Sequence, residues 1–152
     1  MYTSISKILE AGLTKQELIH LAENDARAES GIDFDDADDP LVVRVNSFIA
    51  KADAWIDSYI AARTTVPLVT VPTIIEDLST RRTIFLLTES RHRKDMPESL
   101  ILSNKEDIKY LTEVQKGNIN PGITEIASSN AFIKTNKSGV TKIFNDDFMA
   151  DH

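Results

Sequence analysis

The chain has 152 residues, with 17 basic and 24 acidic side chains, a formal charge of −7 and no cysteine. That length suits one domain able to bury about 70% of its unfolded surface, and a content of 41% apolar and 27% charged residues is that of a globular protein. Disulfides, thiol catalysis and cysteine-held zinc are excluded. No apolar run nears the ~20 residues that cross a bilayer, MYTSISKILEAG lacks the regions of a signal peptide, and the acid excess argues against a protein that grips nucleic acid, though not against one that surrounds DNA.

The first elements are short. Thr3 or Ser4 caps a helix that turns Ile5, Ile8 and Leu9 inward, and Gly12 ends it in a left-handed conformation. Thr14-Lys-Gln-Glu17 reads as a capping box, followed by Leu18, Ile19, Leu21 and Ala22. Two such short helices need a larger body to pack on. Residues 24–39 are polar, contain Gly31 and end in acid, so they read as a loop. Pro40 then opens a helix over about 40–63, with Asp38 or Asp39 as its cap and the acidic residues at the positive end of its dipole.

In that helix Val42, Val45, Ile49, Ala52, Ile56, Tyr59 and Ile60 form one wide stripe. Phe48 and Trp55 lie on its edge, and Arg44, Ser47, Lys51 and Ser58 lie opposite. The connector TTVPLVTVP is extended, because Pro67 and Pro72 disfavour helix in the residues before them. Pro72 starts a helix over about 72–91, apolar on nearly all sides at Ile84, Phe85, Leu86 and Leu87, hence the central buried helix. Trp55, Tyr59, Phe85 and Leu86 are expected between the two long helices or at their edges. RHRKDMPES is a basic hinge. Ser103-Asn-Lys-Glu106 reads as a second capping box opening a helix with Ile108, Leu111 and Val114, closed by Gly117.

Beyond Gly117 helical periodicity ends. FIKTNKSGVTKIF suggests a loose hairpin around Lys137-Ser138-Gly139, or an extended tail. The chain therefore reads as an all-α bundle of about five helices, two short and three longer, over residues 1–125, followed by an extended interaction tail over 126–152. The tail composition favours order only on assembly.

Chemistry-bearing motifs are few. Asp33, Asp35, Asp36, Asp38 and Asp39 invite a calcium loop, but a register starting at Asp33 puts Ala37 at the fifth position and Asp38 where glycine is required. His20, His92 and His152 are too scattered for a metal triad. There is no nucleophile elbow, Walker loop or dinucleotide fingerprint. The expectation is no catalytic residue, no metal and no cofactor. Arg91-His92-Arg93-Lys94 complements a helix C-terminus. Arg81 and Arg82 lie mid-helix, where acids such as Asp57 or Glu76, or a neighbouring subunit, are candidate partners.

Ala52-Asp-Ala-Trp-Ile56-Asp57-Ser58-Tyr59-Ile60, Arg63, Val66-Pro67-Leu68 and Val71-Pro72 resemble the small head–tail joining proteins of Mu-like phages and prophages. The likeness continues at Asp77-Leu78, Arg81, Glu106-Asp107-Ile108, Leu111, Val114, Gly117 and Ile119. It includes the Met1-Tyr2 start and the ending Ile143-Phe144-Asn-Asp-Asp147-Phe148-Met149. Thr73, Arg82 and Lys105 depart from the pattern, standing where a proline, an aromatic and a tyrosine are common.

The resemblance implies a non-enzymatic head completion adaptor at the virion neck, assembled in the host cytoplasm. Copies form a ring, commonly twelve, beneath the portal protein and above a tail-side neck or tail terminator protein. Double-stranded DNA passes through the lumen without specific binding, and no membrane is involved. The expected subunit or partner interface comprises Trp55, Tyr59, Arg63, Pro67, Arg81, Arg82, Phe132, Ile143, Phe144, Phe148 and Met149, with Ile133 and Val140 as further tail anchors. The expected acidic face toward the channel or its rim comprises Asp35, Asp36, Asp38 and Asp39, since cationic side chains there would bind DNA. The competing reading is a small helical regulator acting on DNA or a host protein. It requires a basic recognition helix, and residues 14–23 carry only Lys15 as a cation. A hydrolase would need paired carboxylates in a pocket, and 33–39 look too exposed for that.

Overall fold

The computed structural model describes residues 1–22, 32–92 and 95–126. Within them lie α1 (Ile5–Glu10), α2 (Lys15–Ala22), α3 (Pro40–Ile60), α4 (Thr73–Arg91) and α5 (Glu98–Lys116), and no strand. The all-helical expectation holds. The hairpin expected around Lys137–Gly139 and the tail anchors lie outside the described residues, as do 24–31, Arg93 and Lys94.

Local chemistry sets most helix ends. The Ser4 side chain accepts from the Lys7 amide, and Gly12 adopts φ 102° after α1. Thr14 and Glu17 form the expected reciprocal box: the Thr14 amide donates to Glu17 Oε2 at 2.8 Å, and the Glu17 amide donates to Thr14 Oγ1 at 3.2 Å. Asp39 Oδ1 accepts from the Leu41 amide at 2.8 Å, with Pro40 at the first helical position. Gly117 closes α5 at φ 83°. There the Asn118 amide reaches Glu113 O and the Gly117 amide reaches Val114 O, both at 2.9 Å, which is a Schellman pair.

Two starts and ends differ from expectation. Helix α3 ends at Ile60 rather than near residue 63, and the chain turns there with the Arg63 and Thr64 amides bonded to Ile60 O. Helix α5 starts at Glu98, not after Ser103. Pro97 precedes it with φ −56°, its carbonyl accepts from the Leu100 and Ile101 amides, and Glu98 puts acid in the first turn. Ser103–Glu106 is thus a capping-box pattern inside a helix that has already begun. Of its apolar residues Ile108 is exposed, whereas Leu111 and Val114 are buried.

Helix α3 is the spine, its 21 residues spanning about 31 Å at 1.5 Å per residue. Its first half contributes Leu41, Val45 and Ile49 to a core shared with Ile8, Leu18, Ile19 and Leu87. Its second half contributes Ile56 and Ile60 to another, shared with Tyr2, Ile75, Leu78, Leu111, Val114 and Ile123. Leu87 beside the first half and Ile75 beside the second make α3 and α4 antiparallel. Each fully buried Leu or Ile contributes about 1.5–3 kcal/mol.

Helix α4 is central, touching each of the other four helices, but it does not bury the face its sequence suggested. Ile84, Phe85 and Leu86 are only partly buried; the buried residues include Ser79, Thr80, Thr83 and Thr88, with Ser79 reaching Asp53 of α3 and Thr80 reaching Thr3. These small hydroxylic side chains let the helices approach closely. Their hydroxyls need not go unpaired: Thr83 donates to Ser79 O, Thr80 to Glu76 O and Thr88 to Ile84 O. The wide aromatic side chains are left at the seam.

Candidate interaction surface

Phe48, Trp55 and Tyr59 recur at i, i+7 and i+11 on α3, one line along the edge of its buried stripe, and all are partly exposed. From α4, the Arg82 guanidinium lies between two rings, 4.3 Å from the Trp55 centroid and 5.1 Å from that of Phe85. Its Nη1 donates to Asn104 Oδ1 of α5 at 2.6 Å, while Nε is buried without a partner. Burial pushes the Arg82 pKa down from its ordinary value. Trp55 and Tyr59 meet edge to face at 5.3 Å. Nearer the start of α3, Lys51 Nζ sits 4.7 Å above the Phe48 ring and the Arg44 guanidinium 5.8 Å from it. The expected position of Trp55, Tyr59, Phe85 and Leu86 at the edges of the long helices is the one observed.

Of the other expected interface residues, Arg81 and Arg63 are engaged within the chain, while Phe132, Ile143, Phe144, Phe148 and Met149 lie outside the described residues. Arg81 faces α5, not the acids first considered: Nη2 lies 2.8 Å from Asp107 Oδ1, and Nε donates to both Asp107 oxygens at 3.2 Å. Hydrogen bonding to Asp107 raises the Arg81 pKa. Asp57 instead accepts the Tyr2 phenol, and Glu76 lies 3.7 Å from Lys7 Nζ. Arg63 Nη2 pairs with Glu125 Oε1 at 2.6 Å, and its carbonyl accepts the Ile126 amide at 2.8 Å. Thr64 Oγ1 donates to Thr124 O at 2.8 Å, so the strand of coil ending at 126 is tied to the end of α3. Pro67 is exposed and follows a cis Val66–Pro67 bond.

One buried polar network escaped the sequence reading. Asp53 is 9% exposed, accepting the Tyr2 amide at 2.8 Å and the Ser79 hydroxyl at 2.6 Å. Tyr2 is buried too; its phenol donates to Asp57 and accepts the Leu68 amide at 3.0 Å. Thr3 Oγ1 meets Thr80 Oγ1 at 2.7 Å. The N-terminal residues thus seal the α3–α4 seam. The sequence held one signal: Asp53 stands four residues after Ile49 and three before Ile56, on the apolar stripe where a charge needs partners.

The acidic loop divides. Asp33, Asp35, Asp36 and Asp38 are exposed. Asp33 Oδ1 accepts the Asp35 amide at 3.0 Å, and Asp36 Oδ1 accepts the Asp38 amide at 2.9 Å. Asp39 is buried at 8% and caps α3, so it does not share their outward face. Among the described residues no group of three or more His, Cys, Asp or Glu is placed to hold a metal, and no helix is long and apolar enough to cross a membrane.

Two hollows flank the aromatic line. One of about 320 Å³ lies among the α1–α2 turn, α4 and α5, walled by Gly12, Leu13, Phe85, Asn104 and the Arg81–Asp107 pair. One of about 560 Å³ opens beside Phe48 and Lys51, with Leu86, Glu89, Ser90 and Met96 around it. Trp, Tyr and Arg are the side chains that most often anchor interfaces, which makes the aromatic line the candidate interaction surface.

Comparison with known proteins supplies kinship. "Gene product J" of Escherichia phage Mu is 31% identical over 75 residues, which is 49% of this chain; the match spans about half, 50%, of that relative's length. The family model described as "Bacteriophage Mu, Gp36" matches residues 2–135, from the buried Tyr2 through all five helices. This kinship is with bacteriophage proteins, and the chain belongs to the Bacteriophage Mu Gp36 family.

Proposed function

We propose that this protein is a structural virion component: a head completion adaptor that forms a ring between portal and tail and surrounds the passing DNA. The observation that carries the reading is the family match over residues 2–135. The geometry is compatible with it. A small helical body offers a partly exposed aromatic line along α3 and α4. A clamp at Arg63 ties residues 124–126 to the end of α3, the point from which the C-terminal segment continues. The chain's acid excess suits a lumen that must not hold phosphate. Portal and tail-side neck proteins are the proposed partners, the virion neck is the proposed location, and the role needs no catalysis or cofactor.

Native mass spectrometry and negative-stain imaging of the purified chain, alone and with its portal, test the proposal. Closed rings with an axial hole are expected. In infected cells the protein should be present in tailed particles and missing from capsids that lack tails. A stable dimer that retards DNA would overturn the reading in favour of a regulator.

A further inference from the structure

Two charged features of the surface have no ion-pair counterpart among the described residues. Arg44 and Lys51 flank the Phe48 ring, both exposed, and no carboxylate of the described residues lies in ion-pair range of either. The exposed loop 33–38 carries Asp33, Asp35, Asp36 and Asp38 with no salt bridge to a cation of the described residues; Lys15 Nζ lies 5.3 Å from the Phe34 ring of the same loop. Asp33 and Asp36 are spent on turn amides, whereas the side chains of Asp35 and Asp38 accept no hydrogen bond there. The loop precedes the N-terminus of α3, and Lys51 lies 12 residues beyond Asp39, about 18 Å along the helix axis. Lys51 is therefore out of reach of the loop of its own subunit, whereas Arg44, 5 residues beyond Asp39 and about 7.5 Å along the axis, lies nearer to it.

We infer that the loop of residues 33–38 of one copy docks on the Arg44–Phe48–Lys51 edge of the next copy. The occupant of the cationic edge is thus a second copy of this chain. The inference rests on the ring reading and gives the loop a place in the seam between subunits instead of in the lumen. Complementary charge selects the occupant: in a chain of net charge −7, most surfaces of a second copy would repel one another, and an acidic loop meeting two exposed cations avoids that. Glu89 lines the adjoining hollow with Lys51 and would repel the loop there, so the loop engages the Arg44–Phe48–Lys51 edge and not the hollow. Phe48, half-buried between the two cations, supplies the apolar contact that desolvates them. A contact between the approach to a helix and the side of that helix is head-to-tail. Repeated, it closes into a ring or continues as a filament.

Charge exchange tests this. Asp35→Lys with Asp38→Lys makes one variant, leaving the turn-forming Asp33 and Asp36 in place; Arg44→Glu with Lys51→Glu makes the other. Both should retain wild-type helical circular dichroism. Each alone should self-associate at least about tenfold more weakly than wild type, by sedimentation velocity, because like charges then face each other. An equimolar mixture should regain the wild-type assembly with the two variants alternating. The absence of cysteine permits a second readout. Asp35→Cys and Lys51→Cys chains, mixed with a short bismaleimide, should give a heterodimer that neither gives alone. Wild-type rings that persist in both charge variants would overturn this inference and leave the ring reading standing. A wild-type chain that stays monomeric and yields no cross-link would overturn both.

Discussion

Removing the Asp53 carboxylate tests whether the buried network joining the N-terminus to the long helices is a structural tie. Asp53→Ala leaves the Tyr2 amide and the Ser79 hydroxyl, held at 2.8 and 2.6 Å, without acceptors in a site where Ser79 is 0% exposed. Hydrogen bonds to a charged acceptor contribute about 1.5–3 kcal/mol each. Against this stands the relief of no longer burying a carboxylate that has no ion-pair partner among the described residues. The balance is a loss of about 3 kcal/mol. With a urea slope of about 2 kcal/mol/M, the midpoint should fall by about 1.5 M at pH 7. Ser79→Ala alone removes one donor and should cost about 1–2 kcal/mol. Since the double variant no longer contains the orphaned hydroxyl, its cost should be less than the sum by about 1 kcal/mol. Far-ultraviolet circular dichroism and tryptophan fluorescence through Trp55 would follow both transitions. Strict additivity, or a midpoint change below about 0.3 M for Asp53→Ala, would show that the N-terminus is not tied to α3 and α4 through this side chain.

Other outcomes follow from the same contacts. Gly117→Ala should destabilise by about 2 kcal/mol, because a Cβ at φ 83° is strained and would lie 1.8 Å from Arg63 Nη1; amide exchange at Ile126 should then accelerate as the Arg63 clamp is displaced. Burial, with the Asp57 bond adding to it, holds the Tyr2 phenol well above its ordinary pKa of 10.0, so the folded state favours the protonated form. Its contribution is complete below pH 10.0 and is lost as pH rises beyond that, so stability should fall there and Tyr2→Phe should flatten the fall. Phe85→Ala should cost about 2 kcal/mol, below the ~3–5 kcal/mol of a fully enclosed ring, because its outer side is open and its inner side stacks on Arg82. A calorimetric loss above about 4 kcal/mol would refute that account of the seam.

Local rules carried the reading furthest. Thr14–Glu17, Asp39–Pro40 and Gly117 were legible as helix ends because each acts through backbone groups within a few residues. The α3 stripe was legible because helical period alone decides which side chains share a face. Phage kinship was legible in the sequence around Trp55–Ile60 and the two prolines that follow. What residues 73–91 bury was not legible in the same way: their hydrophobic content points to Ile84–Leu87, but close packing against α3 favoured the narrow Ser/Thr face and left Phe85 outside. The start of α5 was misread for a related reason, since Ser103–Glu106 satisfies a local capping pattern that a helix already launched at Glu98 overrides. Only the tertiary structure brought Tyr2 to Asp53, Arg81 to Asp107, Arg82 between Trp55 and Phe85, and Arg63 over Gly117. Apart from the neighbouring Arg82–Phe85 pair, these contacts span 26 to 54 positions of sequence, and no periodicity reaches that far. A buried charge must find its partner wherever the fold supplies one, so the sequence can show that Asp53 needs a partner, but the packing of the N-terminus against α3 and α4 decides which.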